Sequence, residues 1–179
     1  VFPVSPILPL RGNQEGCNVG GISYFYILDP QFGTSQMCDP IGRKAPEPIL
    51  QPYAVDLTTD QGTTLRLVAA DSTYANDQVV DSWSTKMRPK FKKAQSLAEA
   101  TPRPGNAWLL THRPIFAVRS TIQCGNVRCS PFSKDPNIRM WVSADTAAAS
   151  YGTLKPYSAI LSGHVHLTQA VQVTGAPAQ

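Results

Sequence analysis

Sixteen prolines are spread along a chain of 179 residues, about 9%, nearly twice the usual ~5%. Each removes a backbone donor and breaks a helix interior. A helical bundle is therefore disfavoured, and sheet and loop must carry most of the chain. Hydrophobic residues make up 42%, enough to bury a core and to exclude disorder throughout. Charged residues are only 16%, well under the roughly 25% of an average soluble protein. The length suits one domain.

A net charge of +4 and a pI near 9.0 suit an anionic substrate. The one dense basic run, Lys86, Arg88, Lys90, Lys92 and Lys93, lacks the interleaved aromatics of a single-strand binder. It reads as a solvated helix face, so no nucleic-acid partner is expected. No stretch approaches the ~18 apolar residues of a membrane span. The sequence does not specify an oligomeric state. Val1 opens inside an apolar, proline-rich run, and the alternating run from Ser158 to Val173 stops abruptly. Both ends read as cuts. The expectation is a single partial domain over 1–179, truncated at both ends, with no internal repeat or low-complexity tract.

Between the ends the pattern alternates. Residues 22–28 (ISYFYIL) predict a strand, and 53–57 with 64–70 predict a hairpin closed through a longer loop. Residues 77–100 carry helical periodicity through Val79, Val80, Trp83, Met87, Phe91 and Leu97, interrupted at Pro89. Ala107–Thr111 predicts a buried strand, 158–162 a final core strand, and 167–173 its continuation beyond a break at Gly163. Strands with an intervening helix argue for an α/β or α+β layered domain.

The three histidines, His112, His164 and His166, carry the chemistry. His112 follows the apolar run WLLT, and His164 follows AILSG. Strand ends in layered sheets are where ligands and catalytic groups gather. His164 and His166 are two apart, which in extended backbone puts both imidazoles on one face. Neutral imidazole is the commonest metal ligand, although a hydrogen-bonded structural histidine is the plainer reading of His112 alone. Gly163 permits close approach or a positive φ just before the pair. Upstream, Arg11-Gly12-Asn13-Gln14-Glu15 follows an apolar stretch. Asn13 offers an amide oxygen suited to a divalent cation, though Gly-Asn-x-Glu alone is only a turn.

Taken in order, Gly-Asn-x-Glu, Thr-His-Arg-Pro and Ser-Gly-His-Val-His resemble the C-terminal motifs of the calcineurin-like metallophosphoesterases, in particular their bacterial branch. The likeness extends over nearly the whole chain, through RGNQEGC, YFYILDP, YAVDL, TLRLVAADS and AWLLTHRPIF. It implies a two-sheet β-sandwich flanked by helices, with metals at the sheet edges, of which this chain is the C-terminal portion. It implies that Asn13, His112 and His164 bind one metal and His166 the second. The two metal ions would be Fe, Mn or Zn, between which imidazole and oxygen ligation does not discriminate. The implied activity is metal-dependent hydrolysis of small-molecule phosphate esters, mono- or diesters, by a metal-bridged hydroxide attacking in line.

Two departures from that pattern matter. The family's earlier motifs, Asp-x-His and Gly-Asp-x-x-Asp or -Tyr, are absent from these residues, so the second site is incomplete and this chain alone is expected to be weak or inactive. Gln14 stands where the family usually has histidine. A carboxamide can hydrogen-bond phosphate but cannot act as an acid at neutral pH. The competing class is a catalytically degenerate, disulfide-stapled extracellular binding domain on the same scaffold.

The four cysteines, Cys17, Cys38, Cys124 and Cys129, are compatible with disulfides in a periplasmic or secreted protein. Cys124 and Cys129 bracket a turn-forming Gly-Asn and would close a small loop, leaving Cys17 with Cys38; two other connectivities and a thiolate zinc site remain open. Asp71-Ser72 reads as a strand-end turn or as support for the site. Arg11 and Arg113 are candidates either for bidentate phosphate binding or for structural salt bridges. Trp83, Trp108 and Trp141 read as packing residues.

Overall fold

The computed structural model describes residues 8–12, 51–73, 82–100, 105–115, 117–120, 138–141, 151–163 and 170. The expected strands at 22–28 and 167–173, the helical residues 77–80, and all four cysteines fall outside the described residues, Ala170 apart.

Strand β1 (Tyr53–Thr58) and strand β2 (Thr64–Ala70) form the antiparallel hairpin that the alternation predicts, with Tyr53 opposite Ala69 and Thr58 opposite Thr64. Their loop closes on itself. The Gly62 N–H donates to the Thr59 carbonyl and the Thr59 N–H to the Thr63 carbonyl, both at 2.9 Å. Gly62 turns the loop at φ 76°, a conformation that strains any residue with a Cβ.

Helix α1 (Ser82–Glu99) runs without interruption through Pro89, which corrects the expected break there. Proline removes the bond to the carbonyl four residues earlier and crowds that carbonyl, a local cost. Pro89 is exposed, where water can take up that carbonyl, while Met87 and Phe91 on either side are buried and hold both halves on the sheet. The basic run lies on the same helix, with Lys86, Arg88, Lys92 and Lys93 exposed and Lys90 half-buried.

Strand β3 (Ala107–Thr111) comes next and pairs parallel with β2. Strands β4 (Ala117–Ser120) and β5 (Ile138–Trp141) pair antiparallel in a separate two-stranded sheet. A single helical turn, α2 (Tyr151–Leu154), precedes β6 (Tyr157–Ser162), which pairs parallel with β3. The main sheet is thus mixed, in the order β1-β2-β3-β6, and with α1 it makes an α/β arrangement.

The core lies on one face of that sheet. Val68, Ala70, Ala107, Leu109, Tyr157 and Ile160 meet Met87, Phe91, Ala94 and Ala98 of α1. The helical residues recur at the three- and four-residue spacing that makes a single apolar stripe. Arg66 ties this layer together. Its guanidinium holds both Asp56 carboxylate oxygens, at 2.6 and 2.7 Å, and donates to the Leu97 carbonyl near the end of α1 at 2.9 Å.

Candidate functional site

The three parallel strands end in step: Ala70 lies opposite Thr111, and Thr111 opposite Ser162. The residues after each strand, Asp71-Ser72-Thr73, His112-Arg113 and Gly163, therefore emerge at one edge. In open α/β sheets this carboxyl edge is where ligands bind.

Side-chain hydrogen bonds stitch the edge from strand to strand. The Thr111 hydroxyl donates to the Arg113 carbonyl at 2.8 Å and lies 3.0 Å from the Ser162 hydroxyl. Its single proton is committed to the carbonyl, so Ser162 is the donor of that pair. The Gly163 N–H donates to the His112 carbonyl at 3.0 Å. A Cβ at Gly163 would lie 3.9 Å from Nδ1 of the His112 ring. Gly163 is not among the positive-φ glycines, which are Gly62 and Gly105 of those described. A Cβ would fit there at ordinary contact distance, 3.8 Å from the His112 carbonyl oxygen, so neither close approach nor unusual backbone requires this glycine.

On the β2 side, Asp71 organises a buried polar cluster. Its Oδ1 accepts from the Thr73 N–H at 3.0 Å and from the Thr73 hydroxyl at 2.6 Å, an Asx-type turn. Its Oδ2 accepts from Nη2 of Arg11 at 2.5 Å. Arg11 is 1% exposed, and its Nε donates to the Thr73 hydroxyl at 3.2 Å. The cluster continues to β3: the Arg113 N–H donates to the Ser72 hydroxyl at 2.8 Å and Nε of Arg113 to the Thr73 carbonyl at 3.3 Å. The segment 8–12 is further held by Tyr53, whose hydroxyl donates to the Pro9 carbonyl at 2.5 Å. Asp71 and Ser72 are legible in the sequence as a strand-end turn; Thr73, Thr111 and Ser162, which also hold this edge together, are not. The one local signal is the polar run Asp71-Ser72-Thr73 directly after the apolar TLRLVAA.

Among the described residues, Arg11, Arg113 and Asp71 of this cluster carry two positive charges against one negative. Lys90 of α1 is near enough to feel the Asp71 charge. Burial pulls the Lys90 ammonium below its usual pKa, and the attraction of Asp71 partly opposes that.

Of the expected metal ligands, His112 is half-buried at this edge, whereas Asn13, His164 and His166, like Gln14, lie outside the described residues. The residues just before two of them, Gly12 and Gly163, are at the edge already. Arg11 and Arg113 are both buried within the polar cluster, and Trp108 is half-buried. Among the described residues no three of His, Cys, Asp and Glu gather into a metal-holding group, and no helix is long and apolar enough to cross a membrane. Compared with protein-family models, with curated proteins and with solved structures, the chain matches none.

Proposed function

We propose that this chain is part of a metal-dependent phosphoesterase of the calcineurin-like kind, in which Asn13, His112 and His164 hold one metal and His166 the other. One observation carries the reading: three segments far apart in sequence converge on a single sheet edge. Gly12 arrives there through the Arg11–Asp71 pair, His112 stands at the end of β3, and Gly163 is hydrogen-bonded to His112. Each of the three motifs therefore has at least one residue, or the residue immediately before its candidate ligand, at that edge.

The donor chemistry fits a divalent cation, since neutral imidazoles and a carboxamide oxygen are suitable ligands. The missing side chain at Gly163 leaves space beside Nδ1 of His112. Bound metal would supply Lewis-acid polarisation of the phosphate oxygens. The chain's own residues supply position. Thr111 and Ser162 lock the turn that carries His112, and the cationic edge favours an anionic ester. Gln14 would hydrogen-bond the phosphate without giving a proton.

The two-sheet sandwich belongs to the same proposal. The second face of the main sheet carries Leu67, Trp108, Leu110, Ala159 and Leu161, of which Leu161 is 50% exposed, and a further layer would cover such an apolar face. Export to an oxidising compartment, with the cysteines paired, completes it.

Protein purified without chelator should contain bound Fe, Mn or Zn by elemental analysis and should hydrolyse nitrophenyl phosphate once the earlier metal motifs are supplied. His112→Ala should abolish both. Equal metal content in the wild-type and His112→Ala proteins would overturn the reading.

A further inference from the structure

We propose that Asp71 is a positioning residue, a clamp that sets the Arg11-Gly12 segment and the His112 turn in fixed relation. The role as a ligand-setting device rests on the phosphoesterase reading; the clamp itself rests on the hydrogen bonds alone. Asp71 is 5% exposed and its partner Arg11 1%. Its two carboxylate oxygens face different neighbours. Oδ2 takes Arg11, the residue two before Asn13, while Oδ1 orders Thr73. Thr73 and Ser72 in turn hold Arg113, the residue after His112. One carboxylate thus connects two loops that are some sixty residues apart from it on one side and some forty on the other.

The choice of residues is informative. A buried ion pair is seldom the most stabilising use of interior space, because desolvation offsets most of the attraction. It does fix direction. Oδ2 fixes the Arg11 guanidinium, and Oδ1 orders Thr73, whose hydroxyl lies 3.3 Å from the Arg11 carbonyl oxygen; a hydrophobic contact in the same place would let the segment slide. Groups that orient ligands from behind typically contribute about 10- to 100-fold in metal affinity.

The test uses the 179-residue chain in two versions beside the wild type: Asp71→Asn, and the double substitution Arg11→Met with Asp71→Leu. The double variant removes the pair without stranding a charge, and circular dichroism and the melting temperature establish that it folds. Hydrogen exchange at the Arg113 amide should accelerate at least about tenfold in the double variant, while the amides of Leu109 and Ile160 in the core keep their protection. Cobalt(II), titrated by its visible absorption, should bind about 10- to 100-fold more weakly to both variants, with an altered band shape.

Unchanged Arg113 exchange in a folded double variant would overturn the clamp. Wild-type cobalt affinity and spectrum in that variant would overturn its ligand-setting role. A wild-type chain that binds no cobalt would overturn that role together with the metal reading, and the exchange measurement would still decide the clamp.

Discussion

At the N-terminal end of β6 the hydroxyl of Tyr157 is buried and has no hydrogen-bond partner among the described residues. Burial, with a smaller contribution from the negative charge of Glu99, pushes its pKa well above the usual tyrosine value. A buried donor without a partner costs about 1–3 kcal/mol, so the aromatic ring stabilises this position and the hydroxyl detracts from it. Tyr157→Phe should leave the protein as stable or raise its unfolding free energy by about 1 kcal/mol. Urea unfolding checks this, and a loss of more than about 1 kcal/mol would show that the hydroxyl is held by a partner such as an ordered water. Arg11 illustrates what a single residue withholds from sequence reading. Its neighbours Gly12 and Asn13 leave both phosphate binding and a structural pair open; the partner, Asp71, is sixty positions away, and nothing local announces it. Gly163 is the reverse case. A glycine before the His-x-His pair promises either closeness or a left-handed backbone, and the geometry requires neither, since a Cβ would fit and φ is not positive.

Among the elements, those with a strong local period are the legible ones. The β1–β2 hairpin, β3 and β6 match their expected ranges to within a residue, because apolar runs bounded by turn residues leave few alternatives. α1 is legible in its stripe but not in its continuity: the cost of Pro89 is local, whereas the burial of Met87, Phe91, Ala94 and Ala98 is collective. The pairing order of the sheet is not legible, since it depends on contacts between strands that share no local pattern. The Asp56–Arg66 pair joins β1 to β2 and yields a pH prediction at this scale. The hydrogen bond from Arg66 lowers the Asp56 pKa below 3.8. The folded state therefore favours the ionised carboxylate. Its contribution is present above the unfolded value and is lost as pH falls through the lower folded value. Both groups reach solvent, with 15% of the Arg66 and 40% of the Asp56 side chain exposed, so screening holds the effect under about 1 kcal/mol. Asp56→Asn should be less stable than wild type by that small margin at neutral pH, and the difference should vanish in strong acid. Urea unfolding at the two pH values measures it; a gap that persists in acid would assign the effect to something other than the charge.

For the molecule as a whole, the sheet edge gathers the described flanks of three motifs, and the chemical question it raises concerns Gln14. In an in-line displacement at phosphorus the leaving oxygen accumulates negative charge, and an acid that protonates it contributes about 10²- to 10⁴-fold. Glutamine has donors but no proton to surrender at neutral pH. If Gln14 occupies the acid's position in the proposed phosphoesterase, the deficit depends on the substrate. An alkyl alcohol is a poor leaving group and needs the proton, whereas a nitrophenolate leaves readily as the anion. In a version supplied with the earlier metal motifs, Gln14→His should therefore raise kcat/KM for an alkyl phosphate by about 10²-fold or more and for nitrophenyl phosphate by only a few-fold. The gain on the alkyl ester should fall at alkaline pH, where imidazolium is lost, and the aryl ester should show little of that fall. Metal content measured on both proteins separates an effect on chemistry from one on metal loading. Equal gains on the two esters at equal loading would mean that position 14 orients the phosphate and does not deliver a proton. The histidine would then act through binding, and the glutamine would be a change of contact at a site that never relied on acid catalysis from this loop.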